Sequence, residues 1–163
     1  MPKTFRLAPM SGGIAAITAI MLALAAGLLL AVLGGVPALH LPLGFVIAVY
    51  AWIWLRFRPG AFIIHRDAVE IVWPLKRRRI ARTRIESVRL IDVAELKQEI
   101  GRGMRVGAGG LWGGFGWLWT QRRGIVQMYI SRTDHMVWIE RGSDRPWLIT
   151  PERPEEFVRE LAR

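Results

Sequence analysis

At 163 residues, 52% of them apolar, the chain has room for a membrane segment and one small domain with its own core, and no more. It contains no cysteine, which excludes disulfides, thiolate metal sites and cysteine nucleophiles, and His40, His65 and His135 fall on separate segments without metal-ligand spacing. The formal net charge of +10 invites a nucleic-acid partner. Four of the cations, however, are Lys3, Arg6, Arg56 and Arg58, which frame a segment of another kind.

From residue 7 to residue 55 there is no Asp, Glu, Lys or Arg. About 20 apolar residues cross a bilayer core as a helix, so the run allows two passes. Gly34, Gly35, Val36 and Pro37 mark the break between them. The expected spans are residues 14–33 and 42–58, with Pro42 in the first turn of the second, where its missing N–H costs nothing. The first span is longer than the apolar core of a cleaved signal peptide, and a second follows directly. Lys and Arg beside short flanking segments stay on the cytoplasmic side, so residues 1–58 are expected to form a hairpin in the bacterial cytoplasmic membrane with both termini in the cytoplasm. Ala15, Ala19, Ala23, Gly27 and Ala31 recur at steps of four, a stripe of small residues that suits close helix packing against Gly44 and Ala48. Such spacings also arise by chance in an alanine-rich segment.

After Pro59 and Gly60 the pattern turns to short β-rich runs with turn residues between them, and residues 59–163 are expected to form one cytoplasmic domain. Strands are expected at residues 61–65, 69–73 and 85–91, with a second turn opening at Pro74-Leu75 and leading into residues 76–82; residues 93–100 suit either a helical turn or an edge segment, and residues 104–106 are another short run. A basic cluster of Lys76, Arg77, Arg78, Arg79, Arg82 and Arg84 contains no anion. Beside an anionic leaflet each such cation contributes about 1 kcal/mol, so lipid headgroups are a better match for this charge than nucleic acid. A solvated turn is the plainer alternative.

Residues 101–120 are rich in glycine and carry Trp112, Phe115, Trp117 and Trp119. The spacing fails the phosphate-loop patterns, since the position of a third fingerprint glycine is Trp112 and no Gly-Lys-Ser/Thr follows. Two readings remain: aromatics that plug the domain core, or a loop with indoles at the headgroup level. Strands at residues 124–131 and 136–141 are expected to form a hairpin, followed by one at residues 145–149. About seven short strands point to a β-sandwich or small barrel. Thr150, Pro151, Pro154, Glu155 and Glu156 then mark a helix start, with Phe157, Val158 and Leu161 on one face to close the barrel.

The run from Gly109 to Gly116, the Thr133-Asp134 pair, the stretch from Arg145 to Glu152 and the helix start from Pro154 to Val158 together resemble the bacterial pleckstrin-homology (PH-like) domain. The resemblance covers about residues 61–162 and implies a strongly bent, seven-stranded sandwich capped by a C-terminal helix, in a family whose members often carry two N-terminal transmembrane helices. In eukaryotic PH domains phosphoinositides sit by a basic loop between the first two strands; here that turn is Arg66-Asp67-Ala68 with a single cation, so the resemblance carries the fold and not the ligand. No nucleophile, metal triad or phosphate loop accompanies Glu86, Asp92, Glu95 and Glu99, so no enzyme and no cofactor is expected. The leading expectation is a membrane-anchored module for protein interaction or scaffolding, with a membrane or cytoplasmic protein, a second copy included, as partner. The alternative is an anionic-lipid sensor using the basic turn at 76–84 and the aromatic loop at 111–119.

Overall fold

The first element lies ahead of both helices. In the computed structural model, which describes residues 2–163, β1 (Lys3–Arg6) runs antiparallel to β2 (Ala61–Ile64), with Phe5 opposite Phe62. Alternation along β1 sends Phe5 into the core and Thr4 and Arg6 outward, while Lys3, on the Phe5 face at the exposed start of the strand, reaches α4, where its ammonium lies 2.8 Å from Glu160. The chain continues as Leu7, bridged to Pro151, and as Ala8, whose N–H donates to Thr150 O.

The helices α1 (Gly12–Leu33) and α2 (His40–Arg56) follow, joined through Gly35 at φ 92° and a 3-10 turn at Pro37–Leu39. Both are long and apolar enough to cross a membrane, which suggests membrane association. Pro37 opens the 3-10 turn and α2 begins at His40, so Pro42 falls in its first turn as expected, and the helix ends before Phe57 and Arg58. The ladder between β1 and β2 holds the entry and exit of the helical pair at one place.

The β-rich region forms two sheets. β3 (Ala68–Val72) and β4 (Arg77–Ala81) complete the first, in the order β1-β2-β3-β4. The second contains β5 (Ser87–Ile91), β6 (Gly103–Gly109), β7 (Gly114–Thr120), β8 (Gly124–Ile130), β9 (Met136–Arg141) and β10 (Asp144–Ile149), in the order β5-β9-β10-β8-β7-β6. The expected β8–β9 hairpin does not form: β10 lies between them, antiparallel to β9 and parallel to β8. Trp147, Leu148 and Ile149 are buried on both faces of the sheet, as a central strand requires. The strands beyond the expected seven are β1, the basic run, which pairs with β3 as β4, and β7, which pairs with β6 around the expected run at 104–106.

Two apolar layers result. Between the sheets lie Phe62, Ile71, Phe115, Ile139, Trp147 and Phe157. The last of these belongs to α4 (Pro154–Leu161), which closes the sandwich as expected, its ring standing edge-on to Phe5 at 5.2 Å and to Phe62 at 6.3 Å. Pro154 occupies the first turn of α4, but Thr150 does not cap it; its hydroxyl instead accepts from Ser131 N–H at 2.9 Å. On the outer face of the six-stranded sheet, Leu118, Met128, Met136, Trp138 and Leu148 lie beneath α3 (Val93–Ile100). This segment is a helix because Asp92 and Glu95 form a reciprocal capping box.

Candidate functional site

The glycine and tryptophan stretch is a β-hairpin whose tip is seated against the helical pair. Gly110 N–H donates to Gly113 O, closing the turn, and Trp112 takes the left-handed conformation at φ 61°. The tip leaves Gly110 O and Trp112 N–H without ladder partners, and Thr18 of α1 serves both. Its hydroxyl donates to Gly110 O at 3.1 Å and accepts from Trp112 N–H at 2.9 Å. The Trp112 ring meets Trp54 edge-on at 4.7 Å and Tyr50 at 6.3 Å, while Tyr50 donates to Met21 O across the pair. The Arg58 guanidinium covers the other indole, 4.2 Å from the Trp54 ring centre.

The four aromatics singled out in the sequence therefore part company. Phe115 is a core plug, 1% exposed. Trp112 joins the domain to the helices, whereas Trp117 and Trp119 stand 43% and 52% exposed on the surface. Met104 lies opposite Trp119 across the β6–β7 ladder and is also exposed. The sequence reading treats the four as one unit because it does not resolve the strand alternation within a run of glycines.

The six cations of the basic cluster are divided in the same way. The turn between β3 and β4 rests against the end of α2: Trp73 Nε1 donates to Phe57 O, and the Lys76 ammonium lies 4.6 Å from the Trp73 ring centre. Burial, then the charges of Arg56 and Arg78, push the Lys76 ammonium below its ordinary pKa. Arg77 is exposed beside it, 3.8 Å from Glu70. The other four leave the turn. Arg78 points into the sandwich and donates to Gln127 Oε1 at 2.8 Å; Arg79 pairs with Asp67. Arg82 donates to the carbonyls of Glu160 and Leu161 at the end of α4, and Arg84 lies 3.7 Å from Asp144. Asp67 thus has its counter-charge in Arg79, so the turn between β2 and β3 carries no basic loop.

The small-residue stripe also changes place. Ala19, Ala23 and Gly27 are exposed, and a Cβ on Gly27 or Gly44 would touch nothing within 4 Å. The less exposed face of α1 runs instead through Ile14, Thr18, Met21, Ala25 and Leu28. Strict steps of four drift by about 40° per step around a helix of 3.6 residues per turn, so such a stripe winds away from any one partner. Ala15 and Ala31, at its two ends, are half-buried.

One cluster carries no signal in the primary reading. Gln127 Oε1 accepts from Trp147 Nε1 at 2.6 Å as well as from Arg78. The Arg141 guanidinium, only 3% exposed, lies 4.6 Å from the Trp147 ring centre and donates through Nε to Arg145 O. Burial and the nearby Arg78 charge lower its pKa to about 10. A polar residue at an inward position of an apolar strand was the available hint, for both Gln127 and Arg141.

A family model described as bacterial PH domain matches residues 60–163. The chain belongs to the bacterial PH domain family. No curated protein and no solved structure matches it. The matched PH domain includes the hairpin tip, the basic turn and α4, but β1 and the helical pair lie outside it. The first sheet of this PH domain is therefore completed by a strand from ahead of the helices.

The link between α1 and the PH domain is open to test. Thr18→Val keeps the side-chain shape and removes both hydrogen bonds to the tip, which is expected to cost about 1 kcal/mol because a half-buried N–H and C=O lose their partners. Hydrogen exchange at the Trp112 amide should accelerate, and Thr18→Ser should restore protection. Unchanged exchange in Thr18→Val would show that the hydroxyl does not hold the tip.

Proposed function

We propose that the protein is a non-enzymatic, membrane-anchored PH-like module that mediates protein interaction or scaffolding at the cytoplasmic face of the bacterial inner membrane. The observation that carries this reading is the exposed row of Met104, Trp117 and Trp119 at the open edge of the six-stranded sheet, where β6 has no neighbour on its outer side. Exposed methionine and tryptophan at a sheet edge are what protein interfaces are enriched in, and an unpaired edge offers main-chain hydrogen bonds besides. The anchor is the helical pair, and the β1–β2 ladder supports a topology in which both ends of the pair lie on one side. Arg56 and Arg58 at the exit favour the cytoplasm for that side. The partner is a membrane or cytoplasmic protein, a second copy included.

A second reading, an anionic-lipid sensor, is favoured by the position of Lys76 and Arg77 beside Arg56 at the end of α2. In this arrangement two or three cations face the leaflet together, not the six of the sequence cluster.

One experiment separates the two. A photo-crosslinking residue replaces Trp119 in the full chain, in native membranes. A discrete protein adduct that disappears when Trp117→Ser is added is the expected result. Adducts with lipid alone would overturn the interaction reading and leave the sensor.

A further inference from the structure

The clefts on the described surface differ in charge. One combines Arg122 and Arg123 with Glu140 and Asp144; another places Asp92, Glu95 and Asp134 around His135. Both hold carboxylates as well as cations or imidazole, and the first is a salt-bridged surface whose Arg123 already faces Glu99 and Glu140. The crevice beneath α3 is of another type. Its floor is Leu118, Met128, Ile130 and Met136, its roof is Leu96 and Ile100, and it is a half-open space of about 450 Å³. That volume falls within the roughly 300–1,000 Å³ of small-molecule sites.

Only two charged side chains line it, Lys97 and Arg105, and no carboxylate does. Among the described residues neither cation has a carboxylate partner within 4.0 Å, and both are exposed. Arg105 stands opposite Leu118 in the β6–β7 register, on the same face of the sheet as the floor, and Lys97 hangs from the roof. Gly103 lies where floor and roof approach each other. A Cβ on Gly103 would sit 3.2 Å from Leu118 Cδ1 and 3.6 Å from Ile100 Cδ1, in the gap between floor and roof. Met128 and Met136 give the floor two unbranched side chains that adjust to an irregular apolar guest.

We infer that this crevice binds a single-chain anionic amphiphile of the fatty-acid type, the alkyl chain between α3 and the sheet and the carboxylate between Lys97 and Arg105. Apolar walls select a hydrocarbon chain, and a mouth with positive charge alone selects the sign of its head. One roof and one floor accommodate one chain and not the two of a bilayer phospholipid. The site stands on the opposite face of the six-stranded sheet from Trp117 and Trp119, so it is independent of the interaction surface.

The test uses the full chain in phosphatidylcholine nanodiscs and laurate with a diazirine near the end of its chain. After irradiation, peptide mapping is expected to place the label on Leu96, Met128 or Met136, with competition by laurate and none by dodecylammonium. The double variant Lys97→Glu, Arg105→Glu should lose labelling about tenfold or more at unchanged melting temperature, as two charge reversals at an exposed mouth imply. Leu118→Trp, which fills the floor, should lose it as well. Labels confined to residues 12–56, equal competition by dodecylammonium, or labelling unaffected by the double reversal would each overturn the assignment.

Discussion

Replacing Phe5 with alanine is expected to destabilise the fold by about 3–5 kcal/mol, the usual cost of removing a buried phenylalanine, although the residue lies outside the span that matches the family. Phe5 is 0% exposed and meets Phe157 of α4 edge-on, while its strand supplies the outer ladder of β2. The substitution empties the place where the first sheet and α4 meet. Urea unfolding of the full chain, followed by near-ultraviolet circular dichroism, should show the midpoint falling with an unchanged slope. Lys3→Ala in the same strand removes only exposed ion pairs with Glu156 and Glu160 and should leave the midpoint close to that of the parent. Equal effects from the two would mean that β1 is a surface addition and not part of the core.

The second large effect is expected at Gly113. Its φ of 151° is unfavourable for any residue with a Cβ, and a Cβ there would lie on the Ile130 carbonyl oxygen and 2.6 Å from Phe115 Cζ. Left-handed backbone costs about 1–2 kcal/mol and overpacking about 1–3. Gly113→Ala should therefore destabilise by roughly 2–5 kcal/mol and withdraw Trp112 from Tyr50 and Trp54, which a red shift of the tryptophan emission would report. Gly109→Ala, four residues earlier in the same hairpin, is the control. A Cβ there meets nothing within 4 Å, and its stability should stay within about 0.5 kcal/mol of the parent. A Gly113→Ala chain with parental stability would show that the tip is not fixed by this contact.

The helical pair was legible because an uncharged run of that length has few alternatives, and the closing helix because Pro154 and the spacing of Phe157 and Leu161 are local signals. What was illegible depends on partners far away in the chain. β1 has a single buried side chain, Phe5, and only its ladder with residues 61–64 makes it a strand. The insertion of β10 between β8 and β9 is likewise a long-range choice, made by a strand that must be covered on both faces. At the candidate site, the basic run reads as one patch because its residues are consecutive. A turn followed by a strand sends Lys76 and Arg77 to one neighbourhood and Arg79, Arg82 and Arg84 to carboxylates and a helix end elsewhere.

The position of β1 also sets an order of events during synthesis. Its partner is made only after both helices, so the first strand waits, unpaired, while the helical pair forms. Once α1 and α2 lie side by side, the intervening chain is already ordered and brings the two strands together, which removes most of the loop-closure entropy such a distant pairing would carry. With the helices in a bilayer, a chain that crosses an odd number of times would strand β1 on the wrong side and leave β2 with a bare edge. In a bilayer the ladder would thereby turn an error of topology into a sheet left unpaired at its edge.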